Sequence, residues 1–327
     1  MRSCLDTCTT PRDEPARRRR LRGNVVFPEF DRATFLVQGL LVVNADDLGS
    51  DVQNTDAILA CSQAGAISST TAMVFMADSE RAAALARSHD LPVGLHLNLT
   101  MGYTAPGAPE QALRRQAQVV DLFAQAREPH RAWRPAKRLI CACVEDQLDE
   151  FRRLYGREPT HVDGHNHAHL SANVILSRAL PSGLRVRRAV NWPPPRDTVG
   201  RLKSRARDRA LARFETTSYF CSIRTLHPWL GGHGLGDILD ASDEVAVEIM
   251  THPGWHDELK VLLSPEWRRA LVGRPLGSYL MLPPRLYAHA KAGQRRRATR
   301  TADNLLVHGA GGPLYEDLVA ALLTFGA

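Results

Sequence analysis

From residue 35 the chain reads FLVQGLLVVNADDLG, in which Leu40, Leu41, Val42 and Val43 form an unbroken apolar run. A half-exposed strand would alternate; an unbroken run predicts a strand buried on both faces, as in a parallel sheet. A helix over 50–65 follows, with Ser50 or Asp51 to cap it and Gly65 to end it. The stretch 66–75 reads as a strand, 79–88 as an alanine-rich helix behind Asp78, and 91–100 as a third strand. Residues 101–135 have weak pattern and read as a long loop with room for one helix. Ile140, Val144, Leu148, Phe151 and Tyr155 recur at helical spacing and predict a helix over about 136–155. Strand-like 159–170, a helix near 171–182, strand-like 184–190 and a strand over 244–252 complete the pattern.

Strand and helix alternate with no hairpin signal, which predicts an α/β fold, a distorted (β/α) TIM-like barrel of parallel strands in a single catalytic domain. The partition is a disordered basic extension over 1–35, a folded domain over 36–284, and a basic extension over 285–327. Within the last, 314–325 has helix-like apolar spacing.

Composition changes this picture little. The net charge of +7 is concentrated in residues 1–23 and 285–300, which carry +4 and +6 and leave the rest slightly acidic. Two basic arms are not a nucleic-acid-binding face, so no nucleic-acid partner is expected. No apolar run is long enough to span a membrane, and the first residues lack the apolar core of a secretory signal. Six scattered cysteines suit reduced thiols, so a cytoplasmic location is expected. A homodimer is left open.

Four places carry chemistry, each at or near a predicted strand end, where α/β folds collect their sites. Asp46 and Asp47 follow the buried run directly, and adjacent carboxylates there are costly unless used or paired. Near a cation one can ligate and the other take a proton. His96 shares a strand face with Gly94 and Asn98. In 161–169 the odd positions His161, Asp163, His165, His167 and His169 would line one face of an extended segment. Alternate residues would then lie ~6.6 Å apart, so one of them can be a ligand and its neighbours supports or substrate contacts. His252 stands before a Pro-Gly turn. One Asp and two His on separate strands would make a three-ligand centre with open positions, as a hydrolytic metal requires. The mixed donors suit Mg2+, Zn2+, Mn2+ or Co2+, and the ligands alone do not choose among them.

Together and in order, 43–74, 92–100, 159–170 and 251–254 (VNADDLG…, PVGLHLNLT, PTHVDGHNHAHL, THPG) resemble the YdjC-like (ChbG-type) carbohydrate deacetylases. The resemblance covers about residues 38–280. It implies a divalent-metal-dependent hydrolase that removes an N-acetyl group from a small carbohydrate such as an N-acetylglucosamine oligomer. It implies Asp47, His96 and His165 as metal ligands, Asp46 as general base and His252 as general acid. His167, His169 and Trp192 are then candidate sugar contacts, Trp192 by stacking. The poor match of 101–135 and 193–235 keeps other substrates open: a glycolipid, another amide, or a sugar bound without catalysis.

Overall fold

The computed structural model describes residues 39–125, 133–175, 179–195 and 197–282. The basic arms and the helix-like 314–325 lie outside the described residues. The chain runs β1 (Leu40–Leu48), α1 (Val52–Gln63), β2 (Ser69–Ala72), α2 (Ser79–Ser88), β3 (Val93–Leu97), α3 (Glu110–Gln125) and α4 (Trp133–Tyr155). It continues through β4 (Val162–Gly164), α5 (Ala172–Ile175), α6 (Thr198–Ala210), β5 (Tyr219–Ser222) and α7 (Ile223–Leu226). It ends with α8 (Leu235–Ala241), β6 (Ala246–Thr251), α9 (His256–Leu262) and α10 (Pro265–Leu271).

All the pairings are parallel, in the order β4-β3-β2-β1-β6-β5. The stretch 184–191 joins the two outer strands. Val162 N–H donates to Arg185 O, Val186 N–H to Glu215 O and Asn191 N–H to Phe220 O. The result is the expected TIM-like barrel, closed on one side by an irregular stave.

Alternation along β1 sorts the interior. Leu41, Val43 and Ala45 face the helices and join the main core. Leu40 and Val42 face inward and meet Tyr279 and Leu282, which plug one end. The plug is tied by Leu41 N–H to Pro275 O (2.8 Å) and Gly277 N–H to Leu41 O (2.9 Å). Above this apolar floor the interior is polar: Asn44, Thr71, His161, Asp163, Arg187 and Glu248 are all fully buried.

Several sequence expectations change. The segment 159–170 is not one extended strand: β4 stops at Gly164, and a tight 3-10 turn covers His165–Leu170. Asn166 and His167 take left-handed backbone there, so the odd-numbered residues do not share a face. Of the helix near 171–182, the described residues are helical only at Ala172–Ile175. The one helix for which 101–135 left room is present, as the sixteen-residue α3. Neither α6 nor β5 was expected; α6 buries none of its residues and so carries no core-facing apolar stripe to read.

Candidate active site

Asp46 and Asp47 are neighbours, and a straight strand would send them to opposite faces. It does not, because β1 is bulged. Between the Ala45–Thr70 and Leu48–Ala72 pairs it carries one more residue than β2, and Asp47 has φ 71°. Aspartate tolerates this left-handed region better than most side chains. Both carboxylates therefore reach the barrel mouth.

There Asp47 Oδ1 lies 3.2 Å from His96 Nε2 and 3.3 Å from His165 Nδ1. One atom from each of the three falls within 4.8 Å of the others. Burial resists ionisation of Asp47, but hydrogen bonds from His165 and His96 outweigh it and hold the carboxyl well below its usual pKa. His96 Nδ1 is fixed 2.8 Å from Asp163 Oδ1, which leaves Nε2 aimed at the mouth. Burial opposes the His96 cation, yet Asp163 and Asp47 raise its pKa well above the usual value. Two carboxylates around one imidazole make a place built to hold positive charge. The hard and borderline donors, and a carboxylate behind the histidine, match a divalent cation.

Asp46 points deeper and is 2% exposed. Arg187 grips it with two hydrogen bonds, 2.6 Å to Oδ2 and 2.7 Å to Oδ1, and Asn44 donates to Oδ1 at 2.9 Å. The same guanidinium lies 2.7 Å from Asp163 Oδ2 and 2.8 Å from Glu248 Oε1. Three acids from three strands thus share one fully buried arginine. Burial raises the pKa of Asp46, and the Arg187 charge more than reverses it. Glu248, to which Tyr279 donates through its hydroxyl, is pushed by burial to about 7.

His252 closes the other side, its Nε2 4.0 Å from Asp46 Oδ2. Its ring stacks on Trp255 at 4.4 Å, and Arg224 covers the Trp255 ring at 4.9 Å. Its backbone N–H donates to buried Glu258 (2.6 Å), whose other oxygen is 3.9 Å from Nδ1. The turn sits tightly on α1: a Cβ at Gly254 would fall 1.7 Å from Asn54 Oδ1.

The structure therefore brings Asp46, Asp47, His96, His165 and His252 together. His167 is partly buried beside Phe220, with ring centroids 5.8 Å apart. Trp192 is partly buried against Tyr219 at 4.9 Å. His169 stands apart from the mouth, fully buried with Nε2 3.1 Å from Arg187 O. In that position it braces the arginine's backbone and offers a ligand no surface. Sequence reading missed Arg187, Glu248 and Glu258. A signal existed for Glu248, the single charge inside apolar VAVEIM; in LRVRRAV three arginines stand together, and nothing local marks Arg187 as the buried one.

Burial lowers His161 and His169 to about 3 and His167 to about 4, so all three are neutral in the fold. Below about pH 6.5 the unfolded chain takes up three protons that the native chain refuses, and stability falls. Glu248 works oppositely, since its raised pKa lets the fold gain a proton between the ordinary carboxyl range and about 7. Three groups outweigh one. The melting temperature should drop between pH 6.5 and 4.5, which thermal denaturation across that range checks; a flat profile would refute neutral burial of the histidines.

A parallel (β/α) barrel with carboxylates and histidines gathered at the C-terminal strand ends has the architecture of a barrel enzyme. The family profile described as YdjC-like protein matches residues 40–272. The chain is 33% identical to a chitooligosaccharide deacetylase from Enterobacter sp. over 272 residues, 74% of this chain and 99% of that protein. It is 31% identical to a carbohydrate deacetylase from Mus musculus over 242 residues, 66% of this chain and 78% of that one. A crystal structure from Enterococcus faecalis, whose description concerns cellobiose-phosphate cleavage, superposes with a TM-score of 0.53 at 19% identity. It covers 73% of this chain and 96% of that one, and so supports the fold. The chain belongs to the YdjC-like family.

Proposed function

We propose that this protein is a metal-dependent carbohydrate deacetylase that hydrolyses the N-acetyl group of a small sugar. The observation that carries the reading is the convergence of Asp47, His96 and His165 within 4.8 Å, beside Asp46 and His252. The chitooligosaccharide and carbohydrate deacetylases among the relatives suggest the substrate class. Asp47, His96 and His165 would hold the cation. When bound it would supply Lewis acidity, polarising an acyl carbonyl and making water easier to deprotonate. Asp46, ionised beside Arg187, accepts the proton of the attacking water. His252, oriented by Trp255 and Glu258, gives a proton to the departing amine. His167 and Trp192 are the sugar contacts in this reading; His169 is a brace.

Asp46→Asn should keep the cation and lower kcat by ~10²–10⁴, the usual range for loss of a general base. Elemental analysis and acetate release measure the two effects separately. A variant that loses the metal would make Asp46 a ligand. The Arg187 grip favours a second division of roles, because a carboxylate whose pKa is lowered by a paired guanidinium is a weaker base. In that division Asp46 orients His252, which takes the water's proton and later delivers it. A pH–rate profile that keeps its acidic limb in Asp46→Asn supports the second division; loss of that limb supports the first.

The substrate test is acetate release from N-acetylglucosamine, its short oligomers, an N-acetylated glycolipid and simple acetyl esters, with Mg2+, Zn2+, Mn2+ and Co2+ in turn. Release from the short oligomers is expected. Turnover of a non-sugar amide alone would overturn the carbohydrate assignment. The free thiols at Cys61, Cys141, Cys143 and Cys221 fit a reducing compartment. Among the described residues no helix is long and apolar enough to cross a membrane.

A further inference from the structure

Helix α6 has no buried residue along its thirteen positions. A helix of a globular protein ordinarily gains its stability by packing an apolar face on the core. Here the two large aliphatic side chains point the other way: Val199 is 62% exposed and Leu202 55%. Exposed with them are Arg201, Arg205, Asp208 and Arg209, while Lys203, Ser204, Ala206 and Arg207 are partly covered on the opposite side. Of the helix's six charged residues five are cationic, and the one acid, Asp208, is engaged by Arg188. The outward surface is therefore cationic with an aliphatic pair set into it. Asn191 to Pro195 join it to the stave that carries Arg187, at the end of the barrel where the site opens.

We propose that α6 is a docking surface for an anionic lipid bilayer, lying in the plane of the headgroups. Its charge complements acidic lipids, to which every Lys or Arg near the surface adds attraction. Val199 and Leu202 enter the acyl boundary, and the long arginine stems let their guanidinium groups stay at the headgroups. Nucleic acid is the weaker fit, because phosphate contacts have no use for an exposed valine and leucine. Docking of this helix does not depend on the deacetylase reading.

The test is co-sedimentation of the full chain with vesicles of phosphatidylcholine alone and of phosphatidylcholine mixed with phosphatidylglycerol. Partition onto the mixed vesicles only is expected. Arg205→Glu with Arg209→Glu should weaken it by at least about tenfold. Val199→Ser with Leu202→Ser, which leaves the charge intact, should weaken it by about tenfold as apolar contact is lost. Arg17→Glu with Arg18→Glu makes the same charge change in the N-terminal arm and should cost much less. None of the α6 positions is buried, so these variants leave the core untouched. The proposal is overturned if the wild type ignores the mixed vesicles, if the serine variant binds like the wild type, or if the arm variant loses as much as the α6 charge variant. Duplex DNA binding that depends on Arg205 and Arg209, without vesicle binding, would assign the surface to nucleic acid instead.

Discussion

Replacing Arg187 with alanine should destabilise the protein more than any other single truncation in the barrel interior. The guanidinium is fully buried and serves Asp46, Asp163 and Glu248 at once. Without it three acids stand in the same water-poor interior, and at least two, Asp46 and Asp163, owe their depressed pKa to its charge once burial is overcome. Removing one partner of a buried ion pair costs about 3–5 kcal/mol because the other charge is left uncompensated. The loss here should reach the upper end of that range or exceed it, a large part of a domain's stability. Denaturant titration measures it, read near pH 7 and again near pH 5. The defect should shrink at the lower pH, since protonating the acids relieves the unpaired charge. Arg187→Lys keeps the charge but reaches fewer partners, and should fold with its activity reduced. An alanine variant as stable as the wild type would mean that water or a rearranged side chain replaces the guanidinium.

Asp47→Asn should abolish cation retention and acetate release while the fold survives. Asparagine is the informative substitution because it tolerates the left-handed backbone at φ 71°, whereas alanine would add strain of about 1–2 kcal/mol. It removes the one negative charge shared by His96 and His165, and turnover should fall by about 10³ or more as the cation is lost. Binding should also depend on pH with a definite sign. His96, whose pKa is raised by Asp163 and Asp47 over the opposing effect of burial, must release its proton to ligate. Affinity for the cation should therefore fall as the pH falls, in a titration followed by elemental analysis. Full metal content and turnover in Asp47→Asn would overturn the ligand assignment.

The candidate site was legible wherever one segment carries its own signal. The unbroken Leu40–Val43 run and the alternation in 92–100 depend only on neighbours in the chain, and they placed Asp46, Asp47 and His96 at strand ends. The histidine-rich 161–169 announced itself by composition, but its shape did not. An extended reading fails because Asn166 and His167 turn left-handed, which swings His165 toward Asp47 and sends His169 inward to Arg187 O. Arg187 itself was read only as part of a strand. Its partners Asp46 and Glu248 lie 141 and 61 residues away, and no local pattern reports a pairing at that range.

The sequence by itself determined the parallel α/β class, most of the strands and the residue types gathered for hydrolysis, because burial periodicity and turn residues act over a few positions. Only the tertiary structure decided which donors meet. The one-residue bulge in β1 turns two adjacent carboxylates toward the same mouth instead of opposite faces. The stave at 184–191 then brings one arginine to acids on three strands. A buried charge is tolerated only where its counter-charge is already held, and that condition is met by the closed barrel as a whole and by no segment of it alone.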